Sequence, residues 1–251
     1  VAVGPPEDVV SQALLQVDGV SKRFGGFTAL DGVSVDIRPG ERFGLIGPNG
    51  SGKTTLINCI SGVLSSDLGA IRFDGQDITR LPAYKRTRRG IARSFQVPRP
   101  FRSMTVLENL LVAIDFAVIG HGLSTRQADA EVYAILDKIG LADKAHVSSS
   151  QLSQVELRKM ELARAMAARP KLLISDEAMA GLAGAEVDEV LDVLLKLNAE
   201  GITVIMIEHI MQAVMRFSER VMCLDAGRVI CEGTPQQVMA DKRVQEAYLG
   251  T

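Results

Sequence analysis

The eight residues Gly47-Pro48-Asn49-Gly50-Ser51-Gly52-Lys53-Thr54 fit the pattern Gly-x-x-x-x-Gly-Lys-Ser/Thr at every position. Glycines there let backbone N–H groups turn inward around phosphate oxygens, and a helix starting at the same point adds partial positive charge. Lys53 supplies a point charge for β and γ phosphates, Thr54 a hydroxyl for Mg²⁺, and Ser51 and Thr55 are further donors. The bland alternative is an ordinary glycine turn ahead of a helix. A second group, Asp176-Glu177, follows the apolar run Leu172-Leu173-Ile174-Ser175. Ligands of open α/β sheets bind beyond the carboxyl ends of the strands, where such a pair would stand. Asp176 suits the Mg²⁺ site through water, and Glu177 suits polarising an attacking water as general base. Without the phosphate loop, an Asp-Glu pair would read as a solvated turn.

Those residues need a strand, a loop and a helix in that order, and the local patterns supply them. Leu14 to Val17 reads as a short strand, and Val33 to Ile37 alternates like a half-buried one. Arg38-Pro39-Gly40-Glu41 is a turn, Arg42 to Ile46 runs into the glycine loop, and Lys53 to Ser61 is helical. Strands are expected near Ile71 to Gly75 and Gly90 to Phe95. From Thr105 to Gly140 the period becomes helical, with Leu107, Leu110, Leu111 and Ile114 on one face, then Val132, Ile135, Leu136 and Ile139 on another. Beyond Ser153 a helix runs to Ala168, followed by the strand at Leu172, a helix from Ala185 to Ala199 and a strand from Thr203 to Ile207. Apolar strands separated by helices predict a parallel sheet covered on both faces.

The 251 residues allow one large or two small domains at roughly 100–200 residues each. With 47% hydrophobic and 23% charged residues the chain can bury a substantial core, which excludes a disordered protein. A net charge of −2 leaves no global basic field for nucleic acid. No apolar run approaches the roughly 18 residues of a membrane span; the longest, Leu110 to Gly120, is interrupted by Asp115. Cys59, Cys223 and Cys231 lack metal spacing and read as reduced thiols of a cytoplasmic protein. Residues 1–13 read as a flexible tail. Eight basic residues between Arg80 and Arg102 admit three readings: a solvated face, contact with membrane subunits or lipid, and nucleic acid. The first is favoured.

In order along the chain, these motifs resemble the nucleotide-binding subunit of an ATP-binding cassette (ABC) transporter from Leu14 to Gly250. The resemblance implies ATP and Mg²⁺ as ligands. It makes Phe24 the aromatic on which adenine stacks, Gln96 the glutamine that reaches Mg²⁺ and the attacking water, and His209 the switch histidine at the γ-phosphate. It also implies an α/β fold: a P-loop NTPase (RecA-like) core with an N-terminal antiparallel β subdomain and an inserted helical subdomain at about 97–153, within a nucleotide-binding domain spanning 14–251. Lys53 and Asp176, 123 positions apart, leave room for that insertion. The segments Thr105 to Leu110, Glu232 to Pro235 and Glu246 to Gly250 resemble the branched-chain amino acid importer branch. The implied partners are a second ABC ATPase subunit in a homo- or heterodimer, integral membrane permease subunits and, indirectly, a solute-binding protein, at the cytoplasmic face of the membrane. Nucleic acid is not expected.

Two segments depart from the family pattern. The signature Leu-Ser-Gly-Gly-Gln becomes Leu152-Ser153-Gln154-Val155-Glu156, which keeps Ser153 for a partner's nucleotide in trans and loses both glycines. Ser153 to Glu156 also reads as a capping box. Ala178 replaces the usual Pro, and Ala180-Gly181-Leu182-Ala183 has Ala where a polar residue, usually Asp, crosses the dimer. Residues acting on the subunit's own nucleotide are intact, while those lent to a partner are eroded. Taken together, the resemblance implies an ATPase that couples dimer closure to import. A subunit acting as a structural clamp and a soluble ABC ATPase of DNA repair or translation are the alternatives.

Overall fold

Two long strands, β1 (Leu15–Phe24) and β2 (Phe27–Ile37), open the chain and pair antiparallel around a Gly25-Gly26 turn, with Phe24 opposite Phe27. Both outrun their expected lengths, because register shifts after Val17 and Val20 break the strict alternation that marks a strand in sequence. The computed structural model describes residues 13–95, 98–117 and 124–249. Residues 1–12 of the expected tail and Gln96 lie outside the described residues.

Next come β3 (Arg42–Ile46), α1 (Lys53–Ser61), β4 (Leu68–Phe73), β5 (Gln76–Asp77), α2 (Ala83–Thr87) and β6 (Ile91–Ser94). Helices α3 (Val106–Ala117), α4 (Thr125–Ile139) and α5 (Gln154–Met166) follow, then β7 (Leu172–Asp176), α6 (Gly184–Ala199), β8 (Thr203–Ile207) and α7 (Met211–Phe217). The chain finishes with β9 (Arg220–Asp225), β10 (Arg228–Gly233), α8 (Pro235–Ala240) and α9 (Lys242–Leu249). The sequence reading anticipates neither β9 nor β10. Val221 to Leu224 is a short apolar run, and periodicity cannot tell such a run from a buried helical turn.

Among the described residues there are two sheets. One is antiparallel in the order β2-β1-β4-β5; the other runs β10-β9-β3-β8-β7-β6 and is parallel except for its edge strand β10. Successive side chains of the parallel strands serve opposite faces. Leu172, Ile174, Ile205 and Ile207 join a core with Leu56, Ile57 and Ile60 of α1 and with Leu15, Val17, Ile71 and Phe73 of the antiparallel sheet. Leu173, Val204 and Met206 face the other way, into a core with Leu110 and Ile114 of α3, Val132 and Leu136 of α4, Met160 and Leu162 of α5, and Val190 and Leu194 of α6. A strand buried on both faces reads as a continuous apolar run, which is why β7 and β8 are legible in the sequence.

Candidate functional site

Parallel pairing sends the carboxyl ends of β3, β7 and β8 to one edge of the sheet. There the loop after β3, Glu177 after β7 and His209 after β8 meet around a cavity of about 250 Å³. Asn49, Gly50, Ser51, Gly52, Lys53, Thr54, Thr55, Phe24, Glu177 and His209 line it, so most of the expected residues converge. Phe27 and Ala29 line it as well. Gly47 and Pro48 form the loop's entry, and Asp176 lies at the strand end behind Glu177, 8% exposed.

The loop's backbone explains its glycines. Gly47 has φ +146° and Gly52 φ +105°. A Cβ on Gly47 would stand 2.2 Å from the Leu224 carbonyl oxygen, and one on Gly52 2.7 Å from that of Ala29. Lys53 is buried and donates from Nζ to the carbonyls of Gly47 at 2.7 Å and Pro48 at 3.0 Å. Burial pulls its ammonium below the usual lysine range, and Glu177 and Asp176 oppose that pull. Ser51 Oγ is buried with no hydrogen-bond partner, an orphaned hydroxyl in the lining of the cavity. An anion at the loop would satisfy both Ser51 and Lys53, so these residues fit a phosphate group.

On the acidic side, His209 Nε2 and Glu177 Oε1 are 2.9 Å apart. Glu177 has φ +48°, a left-handed conformation costly for a side-chain-bearing residue, and its N–H donates to the Ile207 carbonyl at 2.9 Å. Asp176 accepts from Arg93 at 2.5 Å, and the same guanidinium donates to Asn58 Oδ1 at 2.6 Å. Mg²⁺ takes one or two carboxylates together with phosphate oxygens and waters. The Thr54 hydroxyl and the Asp176 carboxylate fit that sparse donor set. Among the described residues no group of three or more His, Cys, Asp or Glu side chains could hold a metal.

Ser153 is not among the residues lining this cavity; it caps α5. Its N–H donates to Glu156 at 2.8 Å and its hydroxyl accepts from the Glu156 N–H at 3.3 Å, both bonds of a capping box. Sequence reasoning overlooked Phe27 and Arg93. Phe27 is signalled by the Gly25-Gly26 turn that sets it opposite Phe24. Arg93 was hidden in the basic run, of which Arg86 proves to be buried and Arg93 half-buried in an ion pair with Asp176.

Comparison with known proteins follows the same lines. The profile of the ABC transporter family matches residues 30–180, and that of the branched-chain amino acid ATP-binding cassette transporter matches residues 228–251. The chain is 37% identical to the high-affinity branched-chain amino acid transport ATP-binding protein BraF of Pseudomonas aeruginosa, over 96% of this chain and 99% of that one. It is 38% identical to the corresponding protein LivG of Escherichia coli K12, with the same coverage. A solved ADP conformation of an ATP-binding cassette of an ABC transporter superposes with a TM-score of 0.86 at 34% identity, covering 96% of this chain and all of the other. A dimeric cassette in a post-hydrolysis state with ADP and Pi gives 0.78 at 26% identity, covering 88% of this chain and 98% of that one. Matches of this extent leave one assignment: the chain belongs to the ABC transporter family, as one of its ATP-binding, ATP-hydrolysing cassettes.

Proposed function

We propose that this cassette powers an importer of branched-chain amino acids or a related small solute, working as a dimer of cassettes on membrane permease subunits. One observation carries the catalytic part: Glu177 and His209, 2.9 Å apart, face the cavity bounded by Lys53 and the phosphate loop. In this reading the loop amides, Ser51, Thr55 and Lys53 hold the phosphates, and Phe24 with Phe27 takes the adenine. Thr54, Asp176 and Gln96 would hold Mg²⁺, which would supply positive charge against that of the phosphates. Glu177 accepts the proton of the attacking water, oriented by its contact with His209. Ser153 is offered in trans to the nucleotide of the second cassette.

The solute class rests on the relatives, which are named for branched-chain amino acid transport and match over nearly the whole length. A permease partner is supported by a groove of about 400 Å³ lined by Val63, Phe95, Arg93, Arg99 and Arg164. Exposed apolar surface rimmed by charge marks an interaction site. No helix among the described residues is long and apolar enough to cross a membrane, which suits a peripheral subunit.

A second reading, a subunit that binds ATP chiefly as a clamp, is favoured by the capping box that engages Ser153 and by Val155 in the signature segment. Phosphate release from the assembled complex separates the two. Glu177→Gln keeps the shape and removes the proton acceptor, so turnover should fall roughly 10²–10⁴-fold with nucleotide binding intact. Unchanged phosphate release would remove Glu177 from the role of base.

A further inference from the structure

The first glycine of the phosphate loop is tied to the far end of the chain. Gly47 N–H donates to the Tyr248 hydroxyl at 2.8 Å, across 201 positions of sequence. This N–H follows β3 directly, at the point where the backbone turns through φ +146°. The Gly47 carbonyl is engaged too, by Lys53 Nζ at 2.7 Å. Lys53 Nζ uses two of its three N–H donors on the Gly47 and Pro48 carbonyls, and the bond to Tyr248 holds the opposite side of Gly47.

Helix α9 is built to deliver the phenol. Its Val244 is 2% exposed and packs in one cluster with Val238 of α8, Val221 and Cys223 of β9, and Ile46, the residue before Gly47. At its start, Arg243 N–H donates to Asp241 Oδ1 at 2.9 Å and Arg243 Nη2 to Asp241 Oδ2 at 2.6 Å. Tyr248 as a residue is 41% exposed, yet its hydroxyl oxygen reaches the loop. On the other side of Gly47 the Leu224 carbonyl leaves no room even for a Cβ. The turn is therefore enclosed between β9 and α9.

We infer that Tyr248 is a positioning residue for the phosphate loop, so that nucleotide binding and docking of the C-terminal helix reinforce each other. The inference rests on the reading of the loop as the nucleotide site. One neutral hydrogen bond lost from a preorganised loop weakens binding about three- to tenfold. Coupling is reciprocal, so nucleotide must stabilise docked α9 by the same factor.

The test uses the full chain, ADP as the probe, calorimetry for affinity and amide hydrogen exchange for the loop and α9. Tyr248→Phe removes the hydroxyl and keeps the ring. The expected result is a three- to tenfold weaker ADP affinity with the fold retained, faster exchange at Gly47, and loss of the protection that ADP confers on the α9 amides of the parent. Equal ADP affinity in parent and variant overturns the positioning role, even if Gly47 exchanges faster. Lys53→Ala serves as the control for the site itself: weakened ADP binding there, with Tyr248→Phe unaffected, would overturn this inference alone. A parent that does not bind ADP would overturn both.

Discussion

Glu208 sits between the proposed general base and the segment that follows it, and it is 2% exposed. It accepts from the Met179 N–H at 3.0 Å, which ties the turn after Glu177 to the end of β8. Burial pushes its carboxyl up to about 7, the neighbouring Glu177 adds to the rise, and the N–H groups of Met179 and His209 together with Arg158 oppose it. The folded state therefore holds a proton that the unfolded chain has released between the ordinary value of 4.5 and about 7. Stability must fall as pH rises through that window, by about 3 kcal/mol in all. Glu208→Gln keeps an acceptor for Met179 and cannot ionise. Urea unfolding from pH 4.5 to 8 should show the variant gaining on the parent by that amount at the upper end. A constant difference across the range would mean that Glu208 does not titrate on folding.

Helix α1 carries the phosphate loop at its N-terminus, and its other end is closed by a side chain from a neighbouring element. Gly62 ends the helix at φ +80°, and Arg86, 1% exposed, donates to the carbonyls of Cys59 at 2.6 Å and Ile60 at 2.8 Å. The same guanidinium reaches the carbonyls of Leu81 at 2.8 Å and Thr79 at 3.0 Å. A cation at the negative end of the helix satisfies carbonyls that have no partner within it. Arg86→Met preserves much of the volume and strands those oxygens, so unfolding free energy should drop by about 3 kcal/mol. A shift in the denaturation midpoint equivalent to less than about 1 kcal/mol would show that water replaces the guanidinium without cost. In helix α5 the capping box settles the local structure of the signature segment, because Glu156 and Ser153 satisfy each other's N–H groups.

In a complete transporter the division between intact and eroded motifs becomes a statement about two sites. In the proposed dimer Lys53, Gln96, Asp176, Glu177 and His209 would serve the nucleotide of this subunit, while Ser153, Val155 and Ala183 would face that of the second cassette. Paired with a cassette whose signature is intact, this chain would own the complete site and impair the other. Glu177→Gln would then abolish most turnover of the complex, the equivalent change in the partner would spare much of it, and Val155→Gly would raise the partner's rate. ATPase assays with each glutamate altered singly check this, and equal losses would sink the asymmetric arrangement.

How much of this was legible in the residues depends on the distance over which each feature is specified. The phosphate loop, helix α1 and strands β3, β7 and β8 are written in local chemistry. Glycines at constrained turns, a continuous apolar run and an acid pair at its end follow from backbone sterics and burial within a few residues. The capping box at Ser153 was equally readable for the same reason. Arg86 and Arg93 were not, because a run of basic residues looks solvated until folding brings helix carbonyls or Asp176 to meet two of them. Phe27 became a wall of the site only through pairing with Phe24, and Tyr248 only through the docking of α9 beside β9. Such contacts join elements up to 201 positions apart, and no local pattern encodes them. Chain sterics and hydrophobic periodicity act between neighbours in sequence, whereas the partner of a buried polar group is chosen by the packing of the whole chain.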